Sequence, residues 1–292
     1  MSRFVFLTFN GLSFGAVYAA VALALVLIWR TTRILNFAQG AMAMATSYVA
    51  LTVTQHTHSY WLGFAAALVA GFFIGGIVER VAFRRAEHAP HLNTIVIGVG
   101  LLILMQAIAG MLYGQANRDF PPAFSTTTYK AGGTALFSNE DIFTVLSVLG
   151  LMAVLGVLLT KTPTGLRMRA SAFAPEVARL LGVRVARLLT LGWALAAVAG
   201  ALAGMLVIPT GLGLYPGAMD GVFVLGFTGA VVGGLESPVG AVIGGVLTGL
   251  ALSYASGYIG SDITQLAALV LLVAVLLVRP NGLISRSAAR RV

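Results

Sequence analysis

Nine apolar runs follow one another along this chain, and no other feature limits the fold as much. They run over 9–29, 34–53, 61–78, 92–113, 142–159, 188–208, 217–235, 239–254 and 263–278, each bounded by charged or turn-forming residues. Within hydrocarbon every backbone N–H and C=O must be paired inside the protein. Such stretches therefore form helices, because barrel strands would be shorter and would alternate strictly. Only 9% of the 292 residues are charged and 59% are hydrophobic, whereas a soluble domain needs about 25% charged residues to solvate its surface. The run 9–29 is too long for a leader's apolar core, and Arg30 and Arg33 follow it as a stop, so it is read as a first span. The expected fold is an all-α polytopic membrane protein of about 8–10 transmembrane helices, some broken or re-entrant. It forms one transmembrane domain over 1–292, with membrane lipid around it. The glycine-rich region 217–256 is compatible with two full spans or with one span and a re-entrant hairpin.

The net charge of +9 would suggest nucleic-acid binding in a soluble protein. Here the basic residues occupy short loops between apolar runs, so the positive-inside effect explains them and no nucleic-acid partner is expected. With the N-terminus outside and nine crossings, fifteen of the eighteen lysines and arginines lie inside. They are Arg30, Arg33, Arg80, Arg84, Arg85, Lys161, Arg167, Arg169, Arg179, Arg184, Arg187, Arg279, Arg286, Arg290 and Arg291. Only Arg3, Arg118 and Lys130 lie outside. The C-terminus is then cytoplasmic, the loop 114–141 is external and the loop 161–187 is internal.

Several chemistries lack their residues. Lys130 and Lys161 are the only lysines, and neither follows the glycines of a phosphate-cradling loop, so the chain has no nucleotide site of that kind. No cofactor is expected in the chain itself. Cysteine is absent, which removes disulfides, thiolate metal sites and thiol catalysis. His56, His58, His88 and His91 have no clear third ligand nearby, and Pro90 separates the last two. No metal site or catalytic residue is expected, and the chain reads as a transporter subunit rather than an enzyme. Ion coupling needs ionisable groups inside the spans. Asp220 and Glu236 lie at the edges of the glycine-rich pair, as interfacial residues or as the lining of a polar path, and Asp262 reads as interfacial.

Three stretches carry more information. Asn36-Phe37-Ala38-Gln39-Gly40 brings uncharged hydrogen-bonding groups to membrane depth, where they must face protein or a cavity. The late glycines, from Gly226 through Gly229, Gly233 and Gly234 to Gly249, allow close helix approach, as packing alone or as helices that also break to gate a path. In the internal loop, Thr164-Gly165 reads as a turn and 166–170 as a short basic helix. A second helix starts at Pro175-Glu176, where proline's missing amide is harmless and glutamate suits the positive end. Val177, Ala178, Leu180 and Leu181 give it an apolar face, and Gly182 stops it. That face needs a partner, either the protein's own helix ends or a cytoplasmic protein.

These stretches resemble the permease subunits of branched-chain amino-acid ABC transporters, the LivH-like family, over nearly the whole chain. Leu35 through Gly40 is similar to the early signature. Gly165 through Ala170, then Pro175, Glu176, Ala178, Arg179 and Leu180 through Val183, are similar to the coupling loop. Phe227 through Gly234, with Ser237 through Ala241, Gly244 and Gly245, is similar to the late segment, and Arg279 through Leu283 to the ending. Phe173 and Ala174 depart from the acidic or amide residues usual before the Pro-Glu pair, and Ala41 from the acidic residue usual after Gly40. The resemblance implies an inner-membrane importer of branched-chain amino acids or a related small polar solute (other amino acids, urea, amides). Its partners would be a second homologous permease, two cytoplasmic ATPase subunits that use ATP and Mg, and an extracytoplasmic solute-binding protein docking on 114–141. It implies ATPase coupling through Gly165, Arg169, Ala170, Pro175, Glu176, Ala178, Leu181 and Gly182. Asn36, Phe37, Gln39, Gly40, Asp220, Thr228, Gly233 and Gly234 are the candidates for the translocation path. The alternative is an ion-driven secondary transporter or a passive small-solute channel.

Overall fold

A helix that is apolar on every side can be wrapped by other helices as readily as by lipid. The first helix of the computed structural model is the wrapped kind. The structure describes residues 2–86, 90–124, 127–131 and 134–284. Helix α1 (Ser2–Thr32) runs through the centre of the molecule, and most side chains from Ala16 to Ile28 are buried. Against it pack α5 (Asn139–Lys161), α8 (Val185–Val207), α9 (Asp220–Gly233), α10 (Pro238–Tyr258) and, more lightly, α2 (Gln39–Thr57), while α3 (Tyr60–Val78) packs on α8 and α2, α4 (His91–Tyr113) on α2, and α11 (Thr264–Val278) on α9 and α10. Two short helices, α6 (Pro163–Phe173) and α7 (Pro175–Leu180), join α5 to α8. An antiparallel hairpin, β1 (Thr128–Ala131) and β2 (Thr134–Ser138), precedes α5. Among the described residues it is the one sheet.

Seven of these helices are long and apolar enough to span a bilayer. With α2 and α9 they correspond one for one to the nine runs of the sequence, and the protein is an all-α polytopic membrane protein. At about 1.5 Å per residue, the 14 residues of α9 cover ~21 Å, less than a ~30 Å hydrocarbon core. The glycine-rich region is thus one short helix and one full-length helix, α10, turned at 234–237. Small residues set this packing. A β-carbon on Gly229 would lie 2.7 Å from the Gly245 α-carbon, and one on Gly15 would lie 2.9 Å from the Val246 α-carbon. Only glycine lets α9 and α1 approach α10 so closely.

Two expectations about local structure change. The second span starts at Gln39 rather than at 34. Asn36 Oδ1 accepts from the Ala38 amide (3.1 Å), a local turn that competes with helix. Thr164-Gly165 is not a turn but the first turn of α6, capped by the Thr162 hydroxyl, which accepts from the Gly165 amide (3.1 Å). His91 opens α4, whereas His88, Arg286, Arg290 and Arg291 lie outside the described residues.

The arginines expected inside gather at one end of the bundle. There Arg33 pairs with Glu236, Arg84 reaches the first turns of α8, and α6 packs on the end of α5. The opposite end carries aromatic clusters: Phe9 on Phe137, Tyr60 on Phe120, and Trp61 on Phe124 and Phe143. Aromatic side chains of this kind favour a membrane–water boundary.

Candidate functional site

The module at the arginine-rich end is built for exposure. Pro175 occupies the first turn of α7, and its N-cap, Ala174, makes no side-chain capping bond. A cap through a polar side chain is worth ~1 kcal/mol, so this helix start draws nothing from capping. Its end is firmly specified. Gly182 sits at φ +78°, its amide donates to the Arg179 carbonyl (3.0 Å), and the Val183 amide donates to the Ala178 carbonyl (2.9 Å). This is a Schellman motif, in which glycine takes the left-handed conformation without penalty. Ala178 and Gly165 are buried, the latter so close to the Leu158 and Leu159 backbone that a β-carbon would collide. Glu176 and Arg179 form an exposed pair at 2.8 Å, and Arg169, Ala170, Pro175 and Leu181 are exposed. Phe173 is 93% exposed and Leu180 87%, and with Val177 and Leu181 they are apolar side chains that no described residue covers. Burying one such side chain is worth ~1.5–3 kcal/mol.

The path candidates divide into three groups. Asn36 and Gln39 are buried and paired: Asn36 Nδ2 donates to Gln39 Oε1 (3.1 Å), and Gln39 Nε2 donates to the Ala196 carbonyl of α8 (3.0 Å). Their amides tie the non-helical corner between α1 and α2 to α8, as buried polar groups require. Phe37, Gly40 and Asp220 come together around the start of α9. The Phe37 and Phe223 ring centroids are 6.2 Å apart, and a β-carbon on Gly40 would lie 3.2 Å from the Met219 carbonyl and 3.1 Å from Phe223 Cβ. Asp220 accepts from Gln106 Nε2 at 2.8 and 2.9 Å. It is exposed, yet only six residues before Gly226, which packs on Val21 midway along α1. Thr228 is buried and bonds back to the Val224 carbonyl (2.9 Å). Gly233 and Gly234 belong to packing: Gly233 lies against Gly240, and Gly234 against Gly282 of the Asn281-Gly282 turn.

One polar cluster went unrecognised in the sequence. Glu79 is 3% exposed and binds Arg84 through both oxygens (2.8 and 3.2 Å), and Thr190 of α8 joins them at 2.8 Å. In the sequence Arg84 counts only as an internal basic residue, and Thr190 falls within the run 188–208. A π-helical turn over Glu79–Phe83 continues α3 and folds Arg84 back onto Glu79.

Comparison with known proteins adds a second line of evidence. The family model described as "Branched-chain amino acid transport system / permease component" matches residues 7–278. The chain is 30% identical over 307 aligned residues to the high-affinity branched-chain amino acid transport system permease protein LivH of Escherichia coli (strain K12), covering 97% of this chain and 96% of that protein. Against the corresponding permease protein BraD of Pseudomonas aeruginosa the identity is 29%, with the same coverage of each chain. The guanosine ABC transporter permease protein NupQ of Bacillus subtilis is 26% identical over 66% of this chain and 62% of its own length.

Proposed function

The chain belongs to the branched-chain amino acid transport system permease family, and on that footing we propose that it imports branched-chain amino acids or a related small polar solute by alternating access. As a member of the family it is a multi-pass inner-membrane protein, the permease component of an ABC transporter. Such a component works with ATPase and solute-binding partners. The proposed assembly is this permease with a second, homologous one, two cytoplasmic ATPase subunits and an extracytoplasmic binding protein. ATP and Mg are used by the ATPases.

The observation that carries the reading is the exposure of Phe173 at the end of α6 and of Val177, Leu180 and Leu181 on α7, whose end is fixed at Gly182. In the proposed mechanism this helix seats in the ATPase subunit. ATP-driven closure displaces it, and α8 carries the displacement to the corner where Gln39 holds Ala196. The solute passes beside Phe37, Phe223 and Asp220. Tight recognition belongs to the binding protein, which docks on the face formed by 114–141. NupQ is named as a guanosine permease, and on that ground the proposal includes a related small polar solute beside branched-chain amino acids.

The test is Leu180→Asp, a change at an exposed position that leaves the bundle intact. The variant should reach the membrane at wild-type levels, and the ATPase subunits should no longer copurify with it. Full retention of the ATPase would overturn the assignment of this surface.

A further inference from the structure

The cluster of Glu79, Arg84 and Thr190 lies outside both the proposed docking surface and the path. Glu79 is buried and Arg84 partly so; such a pair contributes little net stability over an apolar one, because both charges lose water, but removing one partner leaves a costly unpaired charge. Such a pair serves better to hold two elements in one geometry. Here it holds α3 to α8. Arg84 Nη2 binds Glu79 (2.8 Å), the Thr190 hydroxyl (2.6 Å) and the Ala186 carbonyl (3.0 Å), while the Thr190 hydroxyl donates to Glu79 Oε2 (2.8 Å). Ala186 is in the first turn of α8, four residues after Gly182 ends α7.

Above this joint the same two helices are in backbone contact. A β-carbon on Gly71 would lie 3.0 Å from the Ala197 carbonyl, and one on Gly75 would lie 3.0 Å from the Ala194 α-carbon. On its other side the joint borders a cavity of about 240 Å³, lined by Thr31, Arg33, Ser171 and Pro175. The joint between α6 and α7 thus has free space towards α1, whereas the start of α8 is clamped to α3.

We propose that Glu79, Arg84 and Thr190 are positioning residues that lock the arginine-rich ends of α3 and α8 into one rigid body, so that a displacement of α7 moves both helices together. This rests on the proposed role of α7 as the element an ATPase moves. Thr190 is the informative position. Valine matches its shape without the hydroxyl, and serine keeps the hydroxyl.

The experiment uses spin labels at Val81→Cys and Arg187→Cys, both exposed positions flanking the joint. The chain contains no other cysteine. Distances are measured in the assembled transporter with its ATPase subunits, without nucleotide and with ATP, Mg and vanadate trapped. The wild-type distance should be the same in both states, and Thr190→Ser should behave like wild type. Glu79→Gln and Thr190→Val should match wild type without nucleotide, but on trapping show a distance shifted by several ångströms or a clearly broadened distribution. A wild-type distance that changes on trapping would refute the rigid joint, and so would a Thr190→Val variant indistinguishable from Thr190→Ser. If Glu79→Gln fails to assemble, the Thr190 pair still decides. Failure of the wild-type permease to bring down any ATPase would instead strike at the reading beneath.

Discussion

Asp220 shows what one side chain can reveal. An ionised carboxylate facing hydrocarbon is costly, so an exposed one at this depth belongs beside water, a partner subunit or a solute. Its only described partner is Gln106, an amide that satisfies the carboxylate without neutralising it. If the path runs here, Asp220→Leu should lower uptake at least tenfold while ATPase subunits still copurify, and Asp220→Asn should lower it less, because an amide can still bond Gln106. Uptake assays in vesicles check both, and wild-type uptake by Asp220→Leu would remove this residue from the path. The sequence placed Asp220 correctly at a helix edge but could not find Gln106, which lies 114 positions away. Glu79 was missed for a related reason. Five residues before Arg84 it resembles any loop charge, and only the π-helical turn buries it.

At the scale of elements, periodicity and breakers told most of the story. Pro175 and Gly182 bracket α7 as their backbone chemistry requires, and the glycine-rich region does contain two helices. What they could not give is length inside the membrane. Gly217 and Leu235 bound an apolar run, but 217–219 are non-helical and α9 starts at Asp220. Nor could the pattern show that α1, the first span, would be the one most enclosed by other helices, since an all-apolar helix looks alike at a centre or a rim. The placement of α7 relative to the hairpin can be tested directly. In a chain without cysteine, Phe173→Cys should react with a membrane-impermeant maleimide only from the cytoplasmic side, and Tyr129→Cys only from the external side. Both are exposed. Labelling of the two positions from the same side would contradict the nine-crossing topology.

For the whole molecule, the proposed function separates the moving part from the motor. The bundle is closely packed around α1 by glycine and alanine, and among the described residues 173–181 carry strongly exposed apolar side chains outside the spans. Such a body can rock between two arrangements, and in the proposed function the ATPase partner supplies the energy, so concentration of a solute depends on that partner. The measurement that tests this most directly is accumulation of radiolabelled leucine in liposomes holding this permease, its homologous partner and the binding protein, with and without the ATPase subunits and internal ATP. The account predicts uphill accumulation only when ATPase and ATP are both present. Accumulation against a gradient by the permeases alone would contradict it.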